Sequence, residues 1–325
     1  MKHIKNILSY VSTPLRLTAA LLLLTACSGG SSTVQFHRFE RLLFNSPVEN
    51  LQAVLVDSLQ VYNTPLLNVE PHNPQYMQAL GAFVGDPTVR RIYAVTDSLY
   101  SDLGWLEDEL GGALERSRRL CPEMKYDKFY TLVTADFDDY RNRVFCSDHE
   151  LALSIDRYAV GCLPGAVPAY IERMSRKEYI AADCMEAIAR ANIVLPDGDL
   201  TLLDYAIAEG KAIYYAQQTL PKAHDTILLR YTADQLAWMK ANTEQVWGWL
   251  IQNKMLYTTD ISQLRNIIDE APHTNAFGQS SAPRTTSYIG LQIVNRYMKK
   301  SGATMQQLFD NSDSREILST SGWRP

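Results

Sequence analysis

The chain has 325 residues, of which 46% are hydrophobic, and it carries a formal net charge of −5 at pH 7. This acidic balance, without a basic run or a glycine-rich basic arm, argues against nucleic acid as a partner. It also disfavours direct adsorption to anionic lipid, so any membrane attachment has to come from another feature of the chain.

The N-terminal segment has the pattern of a bacterial lipoprotein signal. Lys2, Lys5 and Arg16 precede the apolar run LTAALLLLTAC, which is too short to span a bilayer as a stable helix and ends at Cys27. Small residues before this cysteine predict that residues 1–26 are removed and that Cys27 is acylated. More than one acyl chain is needed for stable anchoring. The alternative is an ordinary cleaved signal peptide with a chance cysteine.

The rest of the chain is predicted to be a tether followed by one domain. Residues 27–33 have the composition of a flexible linker. They contain no acidic residue, which favours the outer membrane over retention at the inner membrane and leaves the leaflet open. Residues 34–325 show no internal repeat and are predicted to form a single domain.

The first part of this domain is predicted to be helical. Apolar residues recur at helical spacing over residues 48–60 and 75–84. Residues 87–120 are predicted to form one long helix or a helix pair, opening on a proline and kinked at the Gly111–Gly112 pair. The apolar cluster in this segment is predicted to be core rather than a ligand site: Leu103, Trp105, Leu106 and Leu110.

The spacing of hydrophobic residues then changes twice along the chain. Residues 128–158 alternate and are rich in β-branched and aromatic residues, which predicts two or three strands, with the sequence CSDHE at a hairpin end. Helical spacing returns in six later segments: 176–192, 200–219, 232–254, 261–269, 285–300 and 303–309. The pattern predicts a helix-dominated α+β domain with a small central β-sheet.

Four cysteines lie in the domain: Cys121, Cys146, Cys162 and Cys184. Their spacing matches no metal-binding pattern. They allow three disulfide pairings, and buried free thiols are an equal alternative.

Two helical segments have the arrangement of a zinc peptidase but lack its ligands. Such an enzyme needs His-Glu-x-x-His, in which two imidazoles bind zinc and the glutamate activates water, and a later helix often supplies a further glutamate. Here Glu186 holds the base position and Glu209 follows at a suitable distance, but Met185 and Ala189 stand where the histidines belong. We therefore predict no metal. Long-range convergence of three other histidines stays open: His149, His224 and His273.

Glu209 is a carboxylate on an apolar helix face. A buried carboxylate needs a partner or takes up a proton, and the candidate partners are Arg190 and Arg284. The alternative is a solvent-facing side chain without a role. The neighbouring Gly210 predicts a close approach by another backbone or ring.

Several sequence blocks together resemble one known family. They are FHRFERLLF, ELALSIDRYAVG, AEGKAIYYAQQTLP, YTADQLAWMKANTEQVWGWLIQNKMLYTTD and IIDEAPHTNAFGQSSAPRTTSYIGLQIVNRYMKKSG. In this order they resemble the gliding-motility lipoprotein B (GldB) family of Bacteroidetes. The resemblance implies an envelope lipoprotein without established catalytic activity, associated with surface gliding and the linked secretion system. It also implies a gluzincin-like metallopeptidase scaffold, with Glu209, Gly210 and Tyr214 as its E-G-x-x-x-Y helix.

These observations predict a non-catalytic outer-membrane lipoprotein that acts by binding or assembly. Its partners would be the membrane, through Cys27, and envelope proteins, and no cofactor is expected. The predicted cleft of the degenerate site is lined by six residues: Glu186, Glu209, Tyr215, His273, Arg284 and Tyr288. The alternative is an envelope hydrolase, peptidase-like, with an unusual set of metal ligands. A third possibility, a purely structural tether, would have no concave pocket.

Overall fold

A small mixed β-sheet organises the domain. The computed structural model describes residues 34–136, 143–163 and 167–325. The predicted signal peptide, Cys27 and the tether lie outside these residues. The sheet has the order β1-β2-β4-β3. Its strands are β1 (Phe36–Arg38), β2 (Lys128–Leu132), β3 (Val144–Ser147) and β4 (Glu150–Ser154).

The pairing of the strands combines two parallel ladders with one hairpin. β2 pairs in parallel with both β1 and β4, and β3 pairs antiparallel to β4. The tight turn of that hairpin contains Asp148 at φ 45°, a conformation that aspartate adopts more readily than most residues. The prediction of strands in residues 128–158, with a hairpin end at CSDHE, is confirmed. The first strand was missed because three residues are too few to show an alternating pattern.

From residue 34 onward, six α-helices precede the second strand: α1 (Phe39–Phe44), α2 (Leu51–Asp57), α3 (Leu59–Tyr62), α4 (Pro74–Gly85), α5 (Pro87–Leu99) and α6 (Gly104–Leu120). Asn73 and Asp86 accept hydrogen bonds from the first free N–H groups of α4 and α5, and each of these helices opens on a proline. Phe39, Phe44 and Leu51 belong to a small hydrophobic cluster that these helices share with the end of the sheet.

The segment 87–120 is a helix pair, but its break is not at the two glycines. The chain leaves the helix at Tyr100, whose buried hydroxyl donates to the carbonyl oxygen of Tyr158 at 2.7 Å. Asp102 then accepts from the N–H of Gly104, the first residue of α6. Gly111 and Gly112 lie inside α6, so the predicted kink was wrong. Trp105 was also misplaced, since it is 37% exposed while the leucines predicted with it are buried.

In the described residues, ten α-helices follow the sheet: α7 (Ala169–Met174), α8 (Ile180–Asn192), α9 (Leu202–Thr219), α10 (Asp225–Leu228), α11 (Ala233–Ala241), α12 (Thr243–Gln252), α13 (Ile261–Ile268), α14 (Thr285–Ser301), α15 (Met305–Asp310) and α16 (Ser314–Ser321). All of these except α7 contribute side chains to the large core. The predicted helix over 232–254 is divided at Asn242, whose side chain donates to the carbonyl of Trp238. Thr232 caps α11 in a reciprocal pair with Gln235.

Helices α9 and α14 cross with their backbones in contact. A Cβ atom added to Gly290 would overlap the carbonyl oxygen of Ala206. One added to Gly210 would stand 2.7 Å from the backbone nitrogen of Leu291. The close approach predicted at Gly210 is therefore present. This crossing fixes the N-terminus of α14 beside the charged residues of α8 and α9. The helix-dominated α+β fold with a small sheet is confirmed.

Candidate functional site

A charged cavity of about 690 Å³ lies where α8, α9, α13, the edge strand β3 and the N-terminus of α14 meet. Five arginines line it: Arg143, Arg190, Arg230, Arg265 and Arg284. In a chain with a net negative charge, this concentration of guanidinium groups marks the cavity as the candidate site.

Glu209 lies between two of these arginines. Its Oε1 accepts from Nε of Arg190 at 2.8 Å, and its Oε2 accepts from Nη2 of Arg284 at 2.6 Å and from Nη2 of Arg190 at 3.1 Å. Burial opposes ionisation of this carboxyl, but attraction to Arg190 and Arg284 outweighs it and lowers the pKa of Glu209 to about 2. Both predicted partners contact the glutamate, which is ionised at neutral pH.

Glu186 lies one helical turn before Arg190 and is fully buried. Its Oε2 accepts from Nη2 of Arg190 at 2.8 Å and from Nη2 of Arg230 at 3.3 Å. Arg190 thus bridges Glu186 and Glu209. The positive charge between Glu186 and Glu209 is therefore a side chain of the protein, the guanidinium of Arg190.

The ionic network continues behind Glu186 to the edge of the sheet. Arg230 forms a close ion pair with Asp183, which also accepts from the hydroxyl of Tyr158 at 2.6 Å. Glu270 lies 3.8 Å from Nε of Arg230 and 3.5 Å from Nη2 of Arg143. Burial disfavours the charge on Glu270, but Arg143 and Arg230 outweigh this effect and lower its pKa.

The structure brings together three of the six residues predicted for the cleft: Glu186, Glu209 and Arg284. Tyr215 is fully buried on another face of α9 and donates to Oγ of Ser117 at 2.6 Å. Tyr215 lies six residues after Glu209, which is a rotation of about 600° around the helix, or about 240° beyond a full turn. Its side chain therefore lies on a different face of α9 from Glu209.

The other two predicted residues also lie elsewhere. Tyr288 lines a separate cavity of about 330 Å³ with Thr243 and Arg296. Arg284 lies at the N-cap of α14, whereas Tyr288 lies within the helix and turns toward α12. His273 is half-buried in the loop before α14 and does not line the charged cavity.

The histidine positions of a zinc peptidase are filled by core side chains. Met185 and Ala189 are fully buried in the large hydrophobic core. His149 contacts the carbonyl oxygen of Lys125, and His224 accepts from the N–H of Thr226 at the start of α10. Within the part of the chain that the structure describes, no three His, Cys, Asp or Glu side chains are grouped so that they could hold a metal ion.

All four cysteines of the domain are free thiols. Cys121 and Cys184 are buried, and Cys162 is exposed. Cys146 lines the charged cavity, and burial raises the pKa of its thiol to about 12 despite the nearby Arg190. It is therefore protonated at neutral pH, which makes it a poor nucleophile.

Sequence reasoning missed most of the network. Asp183 is one helical turn before Glu186, and that spacing is visible in the sequence. Arg143, Arg230 and Glu270 lie outside the helices and reach the cavity through the tertiary fold. No local pattern marks them.

A sequence model of the family described as gliding motility protein GldB matches residues 26–325. The chain belongs to this family. Membership places it among gliding-motility-associated envelope proteins, and the name of the family model suggests a lipoprotein. The match covers every residue of the charged cavity. Comparisons with curated proteins and with solved structures found no match.

The helices were also compared with the length and hydropathy that a membrane span requires. Among the residues that the structure describes, none of the helices is both long and apolar enough to cross a bilayer.

Proposed function

We propose that this protein is a lipid-anchored, non-catalytic component of the outer membrane that works by binding or assembly in the gliding-motility machinery of Bacteroidetes or its linked secretion system. Family membership supports the link to gliding motility. The signal ending at Cys27 supports the lipid anchor. A peptidase-like ancestry would explain the positions of Glu186 and Glu209.

The observation that carries the proposal is the place of Arg190. In a zinc peptidase of the predicted type, a metal ion lies close to the glutamate base and the later glutamate ligand. Here the guanidinium of Arg190 is hydrogen-bonded to both Glu186 and Glu209, at 2.8 Å in each case. A second cation in that space would meet the repulsion of Arg190 and lose the attraction of carboxylates that are already paired.

Neither acid suits a general base. Such a base works best when its pKa lies near the working pH, and the pKa of Glu209 is lowered to about 2 by Arg190 and Arg284 acting against burial. Glu186 has no exposed surface from which to reach water in the cavity. Binding uses the arginines directly and requires no proton transfer.

The test compares Glu186→Gln and Glu209→Gln with the wild type, in a strain lacking the gene and as purified full-length protein in neutral detergent. Glu123→Gln, at an exposed position without a partner in the described structure, is the matched control. We expect both glutamine variants to support envelope function wherever circular dichroism shows them folded, and we expect no stoichiometric metal by mass spectrometry.

The hydrolase alternative makes the opposite forecast. One equivalent of a transition metal in the wild type, lost in Glu209→Gln, would overturn the proposal. So would a folded Glu186→Gln protein that is inactive in the strain while Glu123→Gln is active.

A further inference from the structure

Three arginines of the charged cavity have buried nitrogen atoms without hydrogen-bond partners in the described structure. These atoms are Nε of Arg143, Nη1 of Arg230 and Nη1 of Arg284. The three side chains are only 3%, 7% and 7% exposed, and all three residues line the cavity. An unpaired buried donor is unfavourable, and more so on a charged group. An acceptor entering the cavity would remove this cost.

Two buried acceptors of the network also lack hydrogen-bond partners in the described structure, Oε1 of Glu186 and Oδ1 of Asp183. Glu186 does not line the cavity but lies behind Arg190. Asp183 does line the cavity, but its Oδ1 is held in the close ion pair with Arg230. The other unpaired buried atoms of the lining residues are the three arginine nitrogens, which are donors and favour a ligand that brings acceptors.

The N-terminus of α14 lies at the same cavity. This helix has 17 residues, and its N-cap residue, Arg284, makes no side-chain hydrogen bond to the first turn. Thr286 and Ser287 of that turn line the cavity. The first N–H groups of a helix lack partners within it, and its N-terminus carries partial positive charge. A helix N-terminus beside guanidinium groups is an arrangement that binds carboxylate and phosphate.

Two of the donor arginines hold a strained backbone. Arg230 has φ 60° and Arg284 has φ 46°, in the left-handed region that residues with a Cβ rarely adopt. Such strain tends to persist where the surrounding structure enforces it, often at ligand sites. Here it occurs at two of the three lining arginines that carry an unpaired buried nitrogen.

The size and lining of the cavity indicate what the ligand carries besides its acceptor group. A volume of about 690 Å³ is in the range of sites for organic molecules rather than single ions. Tyr205, Ile261 and Ile268 supply apolar surface, and Arg265 adds an exposed guanidinium. The oxyanion is therefore one end of a larger molecule.

We infer that the cavity binds a ligand ending in an oxyanion, a carboxylate or a phosphate, which Arg230, Arg284 and the N-terminus of α14 contact while an apolar body packs against Ile261 and Ile268. This inference rests on the proposed function, because it specifies the chemistry that a non-catalytic binding site recognises.

Binding is tested on the full-length protein in neutral detergent by isothermal titration calorimetry. The first probe is N-acetyl-leucine, which joins a carboxylate to an aliphatic body, and its matched control is the uncharged N-acetyl-leucinamide. We expect saturable binding of the acid, weakened by salt, and no binding of the amide. Competition by inorganic phosphate or by acetate then identifies the preferred oxyanion.

Variants test where the probe binds. Arg284→Lys keeps the charge but loses the forked donors, so we expect binding at least about tenfold weaker. Arg265→Gln changes an exposed side chain and should weaken binding by about twofold to fivefold without affecting the fold. Arg176→Gln, at an exposed position away from the cavity lining, should leave binding unchanged.

Ser287→Asp places a carboxylate of the protein at the proposed oxyanion position. We expect it to raise the melting temperature and abolish binding of N-acetyl-leucine. A lower melting temperature with unchanged binding would overturn the inference, as would wild-type protein that binds neither N-acetyl-leucine nor phosphate at millimolar concentration.

The proposed function and the inferred ligand chemistry can be refuted independently of each other. If the probe binds as expected but Arg284→Lys and Arg265→Gln fully support envelope function, the inferred chemistry stands and the proposed function falls. If no oxyanion binds while the glutamine variants of Glu186 and Glu209 behave as expected, the inference alone falls.

Discussion

The crossing of α9 and α14 gives the most direct test of the fold that builds the cavity. The perturbation is one methyl group at Gly210 or Gly290. At Gly210 the new Cβ would overlap the carbonyl group of Gly290, and at Gly290 it would overlap the carbonyl oxygen of Ala206. Both obstacles are backbone atoms, so the strain is relieved only if the two helices move apart.

The magnitude follows from the packing that such a movement loosens. An ordinary contact needs about 3.5 Å, so the helices would separate by roughly 1 Å, which forfeits about a quarter to a half of the dispersion energy at the contact. The two helices bury four isoleucines, each contributing about 2 kcal/mol: Ile207, Ile213, Ile289 and Ile293. The loss is then about 3 kcal/mol, against about 1 kcal/mol gained from the higher helix propensity of alanine.

The assay is reversible unfolding in guanidinium chloride followed by circular dichroism, with Gly248→Ala as the matched control. Gly248 lies within α12, is exposed, and would have no atom within 4 Å of a new Cβ. We expect Gly210→Ala to lose about 2 kcal/mol of unfolding free energy, and Gly290→Ala to lose more because its Cβ would overlap the backbone of the facing helix more deeply. Gly248→Ala should gain about 0.5–1 kcal/mol. Equal gains in all three variants would refute the close crossing.

Three further predictions concern charge and capping. The folded pKa of Glu209, about 2, is below the ordinary value of 4.5, so its contribution of about 3 kcal/mol is present above pH 4.5 and is lost as the pH falls toward 2. Denaturant titrations should show this acid dependence in the wild type and a flatter one in Glu209→Gln; parallel profiles would contradict it. Burial lowers the pKa of Lys211 to about 8 from 10.5, so the unfolded chain binds more protons between these values and stability rises with pH across them. Lys211→Met removes the buried charge but also the hydrogen bond to the carbonyl oxygen of Asn311, so its free energy of unfolding at pH 7 should exceed that of the wild type by about 1–3 kcal/mol. This difference should shrink toward pH 10.5, and a difference independent of pH would count against a charged buried lysine. Finally, Thr232→Ala should lose about 1 kcal/mol and Asp234→Ala less than about 0.5 kcal/mol by thermal unfolding, because Thr232 caps α11; the reverse order would assign the cap to Asp234.

The features that could be predicted from the sequence are those determined by residues close together in the chain. The spacing of apolar residues predicted the bounds of α9 and α14 to within two residues. A carboxylate on an apolar face had to find a cation, and Glu209 contacts both predicted arginines. Gly210 in a buried helix indicated a close backbone approach.

The features that were missed depend on distant parts of the chain. Arg143 and Glu270 meet although they are far apart in sequence, and the loop residue Arg230 contacts Asp183 and Glu186 on α8. Such pairs leave no local periodicity. The errors at Tyr215 and Tyr288 have a different cause, because each lies on a helix that contributes to the cavity but on a part of it that packs elsewhere.

The parallel pairing of β1 with β2 also has a consequence for the order in which the polypeptide acquires its shape. Phe36 has its ladder partner at Phe129, so a chain emerging from the ribosome at about 5–20 residues per second must wait on the order of 5–20 s before that partner exists. Throughout this interval the aromatic rings of Phe36 and Phe39, which are buried in the finished protein, are open to solvent and to other nascent chains. The N-terminal strand therefore joins the sheet late, and until it does the growing polypeptide carries these two aromatic side chains without the partners that bury them.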